Sequence, residues 1–340
     1  MARVAVLMSG GIDSAGAAMV LESLGHRVEG VTAALWEAAG TPSEGAAAAR
    51  ETCRALGIPH TVVDLRSEFR RAVVSPFCSA YMEGNTPNPC AWCNRDIKLG
   101  VLAAMVRDRG FDFVATGHYA RIRQVGGLAT FCEPVDRGKS QVYFLALVEP
   151  ETLGFLMMPL AEYSKQEVKL MLKEAGIPAA ARDSQDLCFA AGGRYHDLLC
   201  TEGYVPRRGD VLDSDGNVAG THKGHAAYTP GQRFGLRGER YYVIDKRPDT
   251  NTIVVGKREE ALRSRITATG VNRFLPLPGH ASAELSIRYR YNSPPVAARL
   301  VEASKGRITV VTEEPCFAPA PGQVLAGYSG GCLVFGGIIE

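Results

Sequence analysis

The sequence lacks long hydrophobic runs, internal repeats and any excess of charge of one sign. A membrane helix needs about 20 consecutive apolar residues, and no stretch of the chain approaches that length, so no membrane partner is expected. The 38 basic and 36 acidic residues nearly balance, which excludes a bulk polycation but permits a local basic surface. The apolar run after Arg3 is too short for a secretory signal, so the cytoplasm is the expected location.

A disulfide framework is not expected either, although the chain contains nine cysteines. The number is odd and nothing marks the chain for secretion, so most thiols are expected to be buried small hydrophobic side chains. Cys90 and Cys93 form the only C-x-x-C pair in the sequence. A structural zinc site normally requires a second such pair.

The first two hundred residues alternate between strand and helix patterns. Strands are predicted at 4–7, 28–32, 60–64 and 113–116, and helices at 15–24, 44–56 and 96–106. This alternation predicts a parallel sheet with helices on both faces. The composition changes near Arg194, and beyond residue 210 short strand patterns indicate small β-barrels or sandwiches that divide near Leu262.

A glycine-rich turn, Ser9-Gly10-Gly11-Ile12-Asp13-Ser14, follows the first predicted strand and opens the first helix. Glycines allow the backbone to approach a phosphate closely, and the N–H groups at a helix start point at such an anion. The Asp13 carboxylate cannot bind phosphate directly, but it can hold a Mg²⁺ ion that bridges phosphates. The turn is neither a Walker A loop nor a dinucleotide fingerprint. It resembles the pyrophosphate loop of the ATP-pyrophosphatase (PP-loop) superfamily, whose members split ATP between its α- and β-phosphates.

A proline-rich segment, residues 85–95, carries the C-x-x-C pair. Cys93 precedes the helix predicted at 96–106, where the helix dipole lowers a thiol pKa, and Arg95 adds positive charge beside it. The spacing of Cys90 and Cys93 fits a dithiol redox pair, half of a zinc site or part of an iron–sulfur site.

Weaker signals lie elsewhere in the chain. Cys188, in the string DSQDLCF, taken alone indicates a buried thiol. Gly117 ends a predicted strand, where parallel α/β sheets bind ligands. His118 beside it fits either a structural histidine or a substrate contact.

Together these segments resemble one family, the tRNA-specific 2-thiouridylases, over nearly the whole chain. The resemblance is carried by ordered strings: SGGIDS, VEGVTAALW, NTPNPCAWCNRDIKLG, ATGHYAR, KSQVYFL, DSQDLCF, TPGQRFGL, YYVIDKRPDTNTIVVG, IRYRY and PGQVLAGYSGGCLVFGGIIE. It implies an N-terminal α/β PP-loop domain at 1–200, a small central β domain at 201–262 and a C-terminal β-barrel at 263–340.

The resemblance also implies roles for individual residues. Cys93 is expected to be the nucleophile and Cys188 to carry a persulfide. The expected ATP-binding residues are Leu7, Met8, Ser9, Gly10, Gly11, Ile12, Asp13, Ser14, Ala33 and Gly117. The expected tRNA-binding residues are Asn88, Pro89, Cys90, His118, Lys139, Ser140, Gln141, Arg288, Tyr289 and Gln323, the first three against the target base.

The implied enzyme uses ATP and Mg²⁺ to adenylate position 2 of the wobble uridine, and then transfers sulfur to it. Its expected partners are tRNA and a persulfide-carrying sulfur donor protein, not DNA. Many relatives have Asp where this chain has Cys90, and a thiol cannot replace a carboxylate in proton transfer. In some relatives three such cysteines could hold a 4Fe–4S cluster, which leaves a cluster on Cys90, Cys93 and Cys188 open beside the persulfide route. The alternatives are another ATP-pyrophosphatase, or a non-catalytic RNA-binding iron–sulfur protein. We expect the tRNA patch along Lys139, Arg288, Arg290 and the Arg207–Arg208 pair.

Overall fold

A computed structural model describes residues 1–36, 44–179, 187–190, 195–236, 238–277 and 285–340. Residues 183–186 of the DSQDLCF string and Arg194, where the composition changes, lie outside the described residues. No helix in the described ranges is long and apolar enough to cross a membrane.

The secondary structure divides into an α/β part and a β-rich part. The strands are β1 (Arg3–Leu7), β2 (Arg27–Ala34), β3 (His60–Asp64), β4 (Phe113–Thr116), β5 (Arg121–Val125), β6 (Leu128–Cys132), β7 (Leu156–Met157), β8 (Gly209–Leu212), β9 (Val218–His222), β10 (Arg233–Leu236), β11 (Glu239–Arg247), β12 (Thr252–Gly256), β13 (Leu262–Arg273), β14 (Leu285–Arg288), β15 (Val296–Ser304), β16 (Arg307–Phe317), β17 (Val324–Ser329) and β18 (Cys332–Ile339). The α-helices are α1 (Ile12–Ser23), α2 (Glu44–Leu56), α3 (Arg66–Phe69), α4 (Ser75–Met82), α5 (Pro89–Trp92), α6 (Leu102–Asp108), α7 (Lys165–Glu174) and α8 (Tyr195–Thr201). π-Helical segments at Arg70–Val74 and Cys93–Val101 join α3 to α4 and α5 to α6.

The first sheet is parallel and has the strand order β3-β2-β1-β4-β7. Successive side chains of a strand point to opposite faces, so β1 contributes to two hydrophobic clusters. Val4 and Val6 pack in one cluster with α1 and α7, and Ala5 belongs to the other. The predicted α/β fold with a parallel sheet is confirmed.

The remaining strands form two further sheets. The second sheet has the order β10-β11-β12-β8-β9 and contains the hairpins predicted from the Asp-Gly and Pro-Asp turns. In the third, β13, β16, β15, β14, β17 and β18 follow one another, and pairing of β13 with β18 closes them into a barrel. The predicted C-terminal β-barrel is thus present.

A hairpin from the first half of the chain extends this third sheet. Strands β5 and β6 pair with each other, and β6 joins β18 where Cys132 stands opposite Cys332. These cysteines form a disulfide across a sequence separation of 200 residues. The sequence predicted neither the hairpin nor this disulfide, because cysteine spacing cannot show which strands a distant hairpin will join.

Candidate active site

The predicted ATP-binding residues lie at the carboxyl edge of the first sheet. The chain runs outward from β1 to β3 and then returns to β4 on the other side of β1. Such a switch point leaves a crevice at the carboxyl ends of the strands, where open α/β sheets bind ligands. Residues 7–14, here called the glycine loop, run from the end of β1 into the first turn of α1, while Gly117 and His118 follow β4. Ala33 lies near the end of β2 at the same edge.

The glycine loop is shaped by its own glycines and serines. Gly10 has a φ of 80°, and a Cβ there would lie 2.6 Å from the Gly45 carbonyl oxygen, so only glycine fits. The Ser14 hydroxyl donates to the Gly11 carbonyl at 3.0 Å and accepts from the Ser9 backbone N–H at 3.2 Å. The first N–H groups of α1 have no acceptor within the helix, so this loop can bind a polyanion.

Asp13 of the glycine loop is fixed by a buried lysine. The Lys165 ammonium lies 2.5 Å from Asp13 Oδ1, and Lys165 is 7% exposed. Lys165 is the first residue of α7, which Ser164 and Glu167 cap reciprocally. Gly117 approaches from β4 so closely that a Cβ there would lie 2.5 Å from the Asp13 carbonyl carbon. The glycine loop is therefore held from α7 and from β4 together.

Cys90 and Cys93 lie in one continuous helical stretch formed by α5, a π-helical segment and α6. Asn88 caps its start, where the side-chain oxygen accepts the Ala91 N–H at 3.1 Å. Cys90 is exposed, whereas Cys93 is 6% exposed and lies inside the helical stretch. The prediction that Cys93 precedes the helix is wrong, because the helix already begins after Asn88.

The thiol pKa values are raised, not lowered. Burial raises the pKa of the Cys93 thiol to about 12. Desolvation by the surrounding protein also raises the pKa of the Cys90 and Cys188 thiols, although both residues are partly open to solvent. The Lys98 ammonium opposes this effect at all three thiols. Cys90 and Cys188 in turn raise the pKa of Cys93 by their charge, so the three thiols lie within electrostatic reach of one another.

Arg95 does not supply the positive charge that the sequence predicted beside Cys93. Its guanidinium donates to both carboxylate oxygens of Asp96, at 2.6 and 2.7 Å. This bidentate pair cancels its charge locally. The predicted lowering of the Cys93 pKa by a helix terminus and by Arg95 is therefore wrong.

The π-helical segment explains why Lys98 replaces Arg95 as the nearby cation. In an α-helix, five residues advance the chain by about 1.4 turns and would place positions 93 and 98 on different faces. A π-helix instead bonds residue i to residue i+5, so that within Cys93–Val101 positions 93 and 98 fall on nearly the same face. Lys98 is half-buried, and its positive charge lowers the pKa of the Cys93 thiol.

Cys188 is held near the other thiols by the aromatic residue beside it. The Phe189 ring packs edge-on against Trp36, Phe69 and Phe77, with centroid distances of 6.3, 5.7 and 5.2 Å. This anchoring buries Phe189 and leaves the Cys188 thiol exposed beside it.

His118 links the thiols to the glycine loop. Burial and then the Lys98 charge lower the pKa of His118 to about 3, so the ring is neutral near pH 7. Its Nδ1 lies 2.8 Å from the Thr116 hydroxyl, and its neighbour Gly117 packs against Asp13. We call the group formed by Cys90, Cys93, Cys188, Lys98 and His118, in which the Lys98 charge acts on the other four side chains, the thiol cluster. It adjoins the glycine loop through Gly117.

Comparison with known proteins gives a match along the whole chain. The family described as "tRNA methyl transferase HUP domain" matches residues 2–192. The descriptions "tRNA methyl transferase PRC-barrel domain" and "Aminomethyltransferase beta-barrel domain" match residues 198–257 and 263–339. The protein named tRNA-specific 2-thiouridylase MnmA from Desulforudis audaxviator is 39% identical over 100% of this chain and 99% of its own length. The protein of the same name from Chloroflexus aurantiacus is 40% identical over 100% of this chain and 98% of its own length.

The chain belongs to the tRNA-specific 2-thiouridylase family. The family predicted from the sequence motifs is therefore confirmed. Among solved structures, the U34-tRNA thiolase NcsA from Methanococcus maripaludis with its [4Fe-4S] cluster is 17% identical. It matches 61% of this chain and 74% of its own, with a TM-score of 0.36, and so carries no information about this 2-thiouridylase.

The residues predicted to bind tRNA in this 2-thiouridylase differ in exposure. Lys139, Arg207 and Arg208 are exposed. Ser140 is buried, and the Gln141 side chain accepts the Tyr119 N–H at 3.0 Å. The Gln141 side chain is therefore already hydrogen-bonded to the backbone of Tyr119, the residue after His118.

On the barrel, the predicted tRNA residues already have partners within the protein. Arg288 lies 3.9 Å from the Glu133 carboxylate, and the buried Tyr289 hydroxyl accepts the Phe317 N–H at 3.2 Å. Arg290 donates to the Phe317 carbonyl. The Gln323 side chain donates to the carbonyl of Thr86 at 2.9 Å.

Sequence reasoning missed Lys98, Lys165 and Phe189. Lys165 had a detectable signal, because a cation in the first turn of a helix opposes the helix dipole and needs a nearby anion. Phe189 directly follows Cys188 and is the kind of side chain that anchors a segment. Lys98 had no such signal, since its closeness to Cys93 depends on the π-helical geometry of this 2-thiouridylase.

Proposed function

We propose that the protein is an ATP-dependent tRNA 2-thiouridylase that adenylates position 2 of the wobble uridine and then replaces that oxygen with sulfur from a persulfide. The full-length identity to curated 2-thiouridylases confirms the activity predicted from the sequence. The structural observation that carries the proposal is the packing of Gly117, the neighbour of His118, against Asp13 of the glycine loop. The Lys98 charge, which lowers the pKa of all three thiols and of His118, supports it.

In the first step, the glycine loop, Ala33 and Gly117 bind ATP. The O2 atom of the uracil attacks the α-phosphorus, the bond between the α- and β-phosphates breaks, and pyrophosphate leaves. The N–H groups at the start of α1 stabilise the negative charge on the leaving pyrophosphate. The step turns O2, a poor leaving group, into part of AMP.

The residues of the glycine loop fit a Mg²⁺ ion bound together with ATP. Mg²⁺ is usually held by one or two carboxylates together with substrate phosphates, whose charge it neutralises. The Asp13 side chain is 35% exposed at the loop, so it can offer an oxygen to such an ion. Lys165 orients this carboxylate through their ion pair.

In the second step, Cys188 carries a persulfide received from a sulfur donor protein. The terminal sulfur attacks C2 of the adenylated uracil, and AMP leaves with the former O2 atom. The Cys93 thiolate attacks the inner sulfur of Cys188, which breaks the persulfide bond and forms a Cys93–Cys188 disulfide. The electron pair of that broken bond stays with the sulfur on uracil as the C=S group forms. A thiol reductant then returns both cysteines to their starting state.

The target uridine has to leave the anticodon stack to reach C2, as bases do in other enzymes that modify them. Asn88, Pro89 and Cys90 contact the flipped base in this proposal. In this proposal His118, Lys139–Gln141, Arg288 and Tyr289 face tRNA, whereas the Gln323 amide is bound to the Thr86 and Pro87 carbonyls. The chain then works as a PP-loop domain at 1–200, a central β domain at 201–262 and a barrel at 263–340. Its place of action is the cytoplasm, where tRNA and thiol reductants are found.

A three-cysteine iron–sulfur cluster is the competing account of sulfur delivery. In the described ranges no group of three His, Cys, Asp or Glu side chains is arranged to hold a metal ion. The thiols of Cys90, Cys93 and Cys188 thus do not fit a cluster in this geometry, and no step is assigned to one.

The activity is tested by incubating the purified protein with unmodified tRNA, ATP, Mg²⁺ and a persulfide source. We expect 2-thiouridine at the wobble position by nucleoside mass spectrometry, with one AMP formed per thiolated tRNA. Asp13→Ala should abolish AMP formation while leaving tRNA binding close to normal. AMP release without thiolated product, by the unaltered protein, would point to a different ATP-pyrophosphatase.

Separate variants distinguish the persulfide route from the cluster route. Cys93→Ser and Cys188→Ser should lose thiolation in either case, so Cys90 decides between them. We expect Cys90→Ser, purified anaerobically, to retain single-turnover thiolation with modest loss. Stoichiometric iron and acid-labile sulfide in the original protein, both absent from an inactive Cys90→Ser, would overturn the persulfide assignment.

A further inference from the structure

Residues 84–88, here called the thiol loop, connect α4 to α5, the helix that contains Cys90 and leads into Cys93. Both β-rich parts of the molecule contact this loop. From the second sheet, the Lys246 ammonium donates to the Asn85 carbonyl at 3.3 Å. Pro248, in the turn between β11 and β12, packs against Gly84. The loop is thus enclosed by protein before any tRNA is bound.

The barrel holds the thiol loop through backbone groups. The Thr86 N–H donates to the Pro321 carbonyl at 2.7 Å. The Gln323 amide donates to the Thr86 carbonyl at 2.9 Å and to the Pro87 carbonyl at 3.4 Å. Gly322 has a φ of 90°, and a Cβ there would lie 3.0 Å from the Thr86 nitrogen. The two backbones are therefore packed without space for an intervening side chain.

The orientation of the Gln323 amide is determined by its partners. The Thr86 and Pro87 carbonyls can only accept hydrogen bonds, so the NH₂ group has to face them. On the other side, the Tyr143 hydroxyl lies 3.4 Å from Gln323 Oε1 and donates at 2.8 Å to the Val324 carbonyl. Burial raises the pKa of Tyr143, so its hydroxyl keeps the proton that it donates.

The thiol loop determines where the thiols stand. Asn88, at the end of the loop, caps α5 through the Ala91 N–H. Cys90 lies in that first turn and Cys93 follows it directly. A shift of the thiol loop therefore displaces Asn88 and the start of α5, and both cysteines move with that helix. Buried carbonyls that lose their donor also have to find another, which favours such a shift.

We propose that Gln323 is a positioning residue: its amide holds the Thr86 and Pro87 carbonyls and thereby keeps Cys93 covered and aligned before tRNA arrives. This role rests on the proposed function, in which Cys93 is the nucleophile. It differs from direct contact with tRNA, because it acts on the thiol loop of the free protein. The barrel is then a part of the active site, through which the docking of tRNA is communicated to Cys93.

The test measures Cys93 alkylation by N-ethylmaleimide without tRNA or ATP, with peptide mass spectrometry to identify the modified cysteine. In Gln323→Met, which keeps the length but has no donor, we expect Cys93 to react about tenfold faster, as for the loss of one buried hydrogen bond. The exposed Cys200 on α8 serves as the internal reference, because its rate should not change. Gln124→Met on the exposed strand β5 is the matched control and should behave like the original protein.

Further measurements separate this role from the alternatives. Gln323→Met should lower kcat for thiolation about tenfold at an unchanged Kd for tRNA, and amide exchange at Thr86 should accelerate. An unchanged Cys93 rate with weaker tRNA binding would overturn the proposal and make Gln323 a tRNA contact. If thiolation is absent even in the original protein, the proposed function fails, while the alkylation and exchange data still decide the role of Gln323. Gln323→Glu, which also lacks a donor, repeats the test if the Met variant does not fold.

Discussion

At the scale of single residues, two opposing effects act on the thiol pKa values of the thiol cluster: burial raises them and one positive charge lowers them. Burial raises the pKa of Cys90, Cys93 and Cys188, and the Lys98 ammonium lowers it at each. Only the thiolate is a good nucleophile. Lys98 therefore determines how much reactive Cys93 is present near pH 7, while burial protects the thiol from side reactions.

Replacing Lys98 should move the reactivity of the thiols to higher pH. In Lys98→Met the thiol pKa values rise further, so alkylation of Cys93 and Cys188 slows at pH 7–8, and each unit of rise lowers the thiolate fraction about tenfold. Lys98→Arg keeps the charge and should restore most of the rate. Iodoacetamide rates of each cysteine against pH measure the effect. Equal pH profiles for Lys98→Met and the original protein would show that the charge does not act on the thiols.

Much of this residue-level picture could be predicted from the sequence, but its electrostatics could not. Cys93, Cys188 and the glycine loop were named from their motifs, and their roles stay predictions until tested. The direction of the Cys93 pKa shift was predicted wrongly, because the sequence does not show that the helix starts after Asn88. Nor does it show that Arg95 pairs with Asp96.

At the scale of elements, β4 and the glycine loop are in direct backbone contact. Gly117 at the end of β4 leaves no room for a side chain above Asp13 and Ser14. A Cβ at this distance from backbone atoms forces one of the two segments to move. The contact therefore transmits any displacement of β4 to the glycine loop.

Gly117→Ala should impair ATP binding more than stability. We expect the Kd for ATP to increase about tenfold or more, with a loss of about 1–3 kcal/mol in the free energy of unfolding, as for overpacked sites. Isothermal titration calorimetry and thermal unfolding measure the two effects. Gly154→Ala is the matched control, since a Cβ there meets no atom within 4 Å. Normal ATP affinity in Gly117→Ala would separate this glycine from the nucleotide site.

Element prediction succeeded where local patterns decide structure and failed where tertiary contacts do. The helix at Glu44–Leu56 and the strands at His60–Asp64 and Phe113–Thr116 have the predicted bounds, because apolar spacing and glycine stops mark them. The π-helical segment Cys93–Val101 was predicted as loop and α-helix. Its hydrogen-bond pattern depends on packing around Cys93 and Ile97, which a sequence pattern does not encode.

At the scale of the whole molecule, the basic residues divide into engaged and exposed groups. Arg288 and Arg290 are paired within the protein and are less exposed, whereas Arg207 and Arg208 are exposed on the approach to β8, where Arg208 also donates to the Thr221 hydroxyl at 3.0 Å. Phosphate contacts require basic side chains that are exposed enough for the RNA backbone to reach them. The expected electrostatic contribution to tRNA binding therefore falls on the exposed group.

Removing the exposed pair should weaken tRNA binding without unfolding the protein. In Arg207→Ala/Arg208→Ala the slope of log affinity against log salt should fall by about 1.4–1.8, since each phosphate contact contributes about 0.7–0.9. Arg290→Ala should instead lower the melting temperature, because it leaves the Phe317 carbonyl without its donor. Filter binding over a range of salt concentrations checks the first expectation, and an unchanged slope would remove this pair from the tRNA patch.

The disulfide joins the hairpin of β5 and β6 to the barrel, and the first half of the chain already contacts the barrel through hydrogen bonds. The Thr130 hydroxyl donates to the Leu333 carbonyl at 2.6 Å, and the Asn272 amide donates to the Val148 carbonyl at 2.6 Å. The barrel is thus attached to the first half of the chain independently of Cys132 and Cys332. The cross-link closes a long loop and constrains mainly the unfolded chain.

Cys332→Ser should therefore destabilise the protein without detaching the barrel. We expect a loss of about 2–4 kcal/mol in the free energy of unfolding and a single unfolding transition, as in the oxidised protein. Denaturant unfolding with and without reductant measures both quantities, and reductant should have no effect on the variant. Two separate transitions in Cys332→Ser would show that the disulfide alone holds the barrel in place.

The hairpin of β5 and β6 has a consequence for the order in which the protein is made. Its partner strand β18 follows it by about the 200 residues that separate Cys132 from Cys332. At a synthesis rate of about 5–20 residues per second, the hairpin leaves the ribosome roughly 10–40 s before that partner exists. During this interval the edge of β6 that later pairs with β18 has no partner, and unpaired strand edges can pair with other chains. The nascent chain is therefore most exposed to aggregation between the completion of its α/β part and the closure of its barrel.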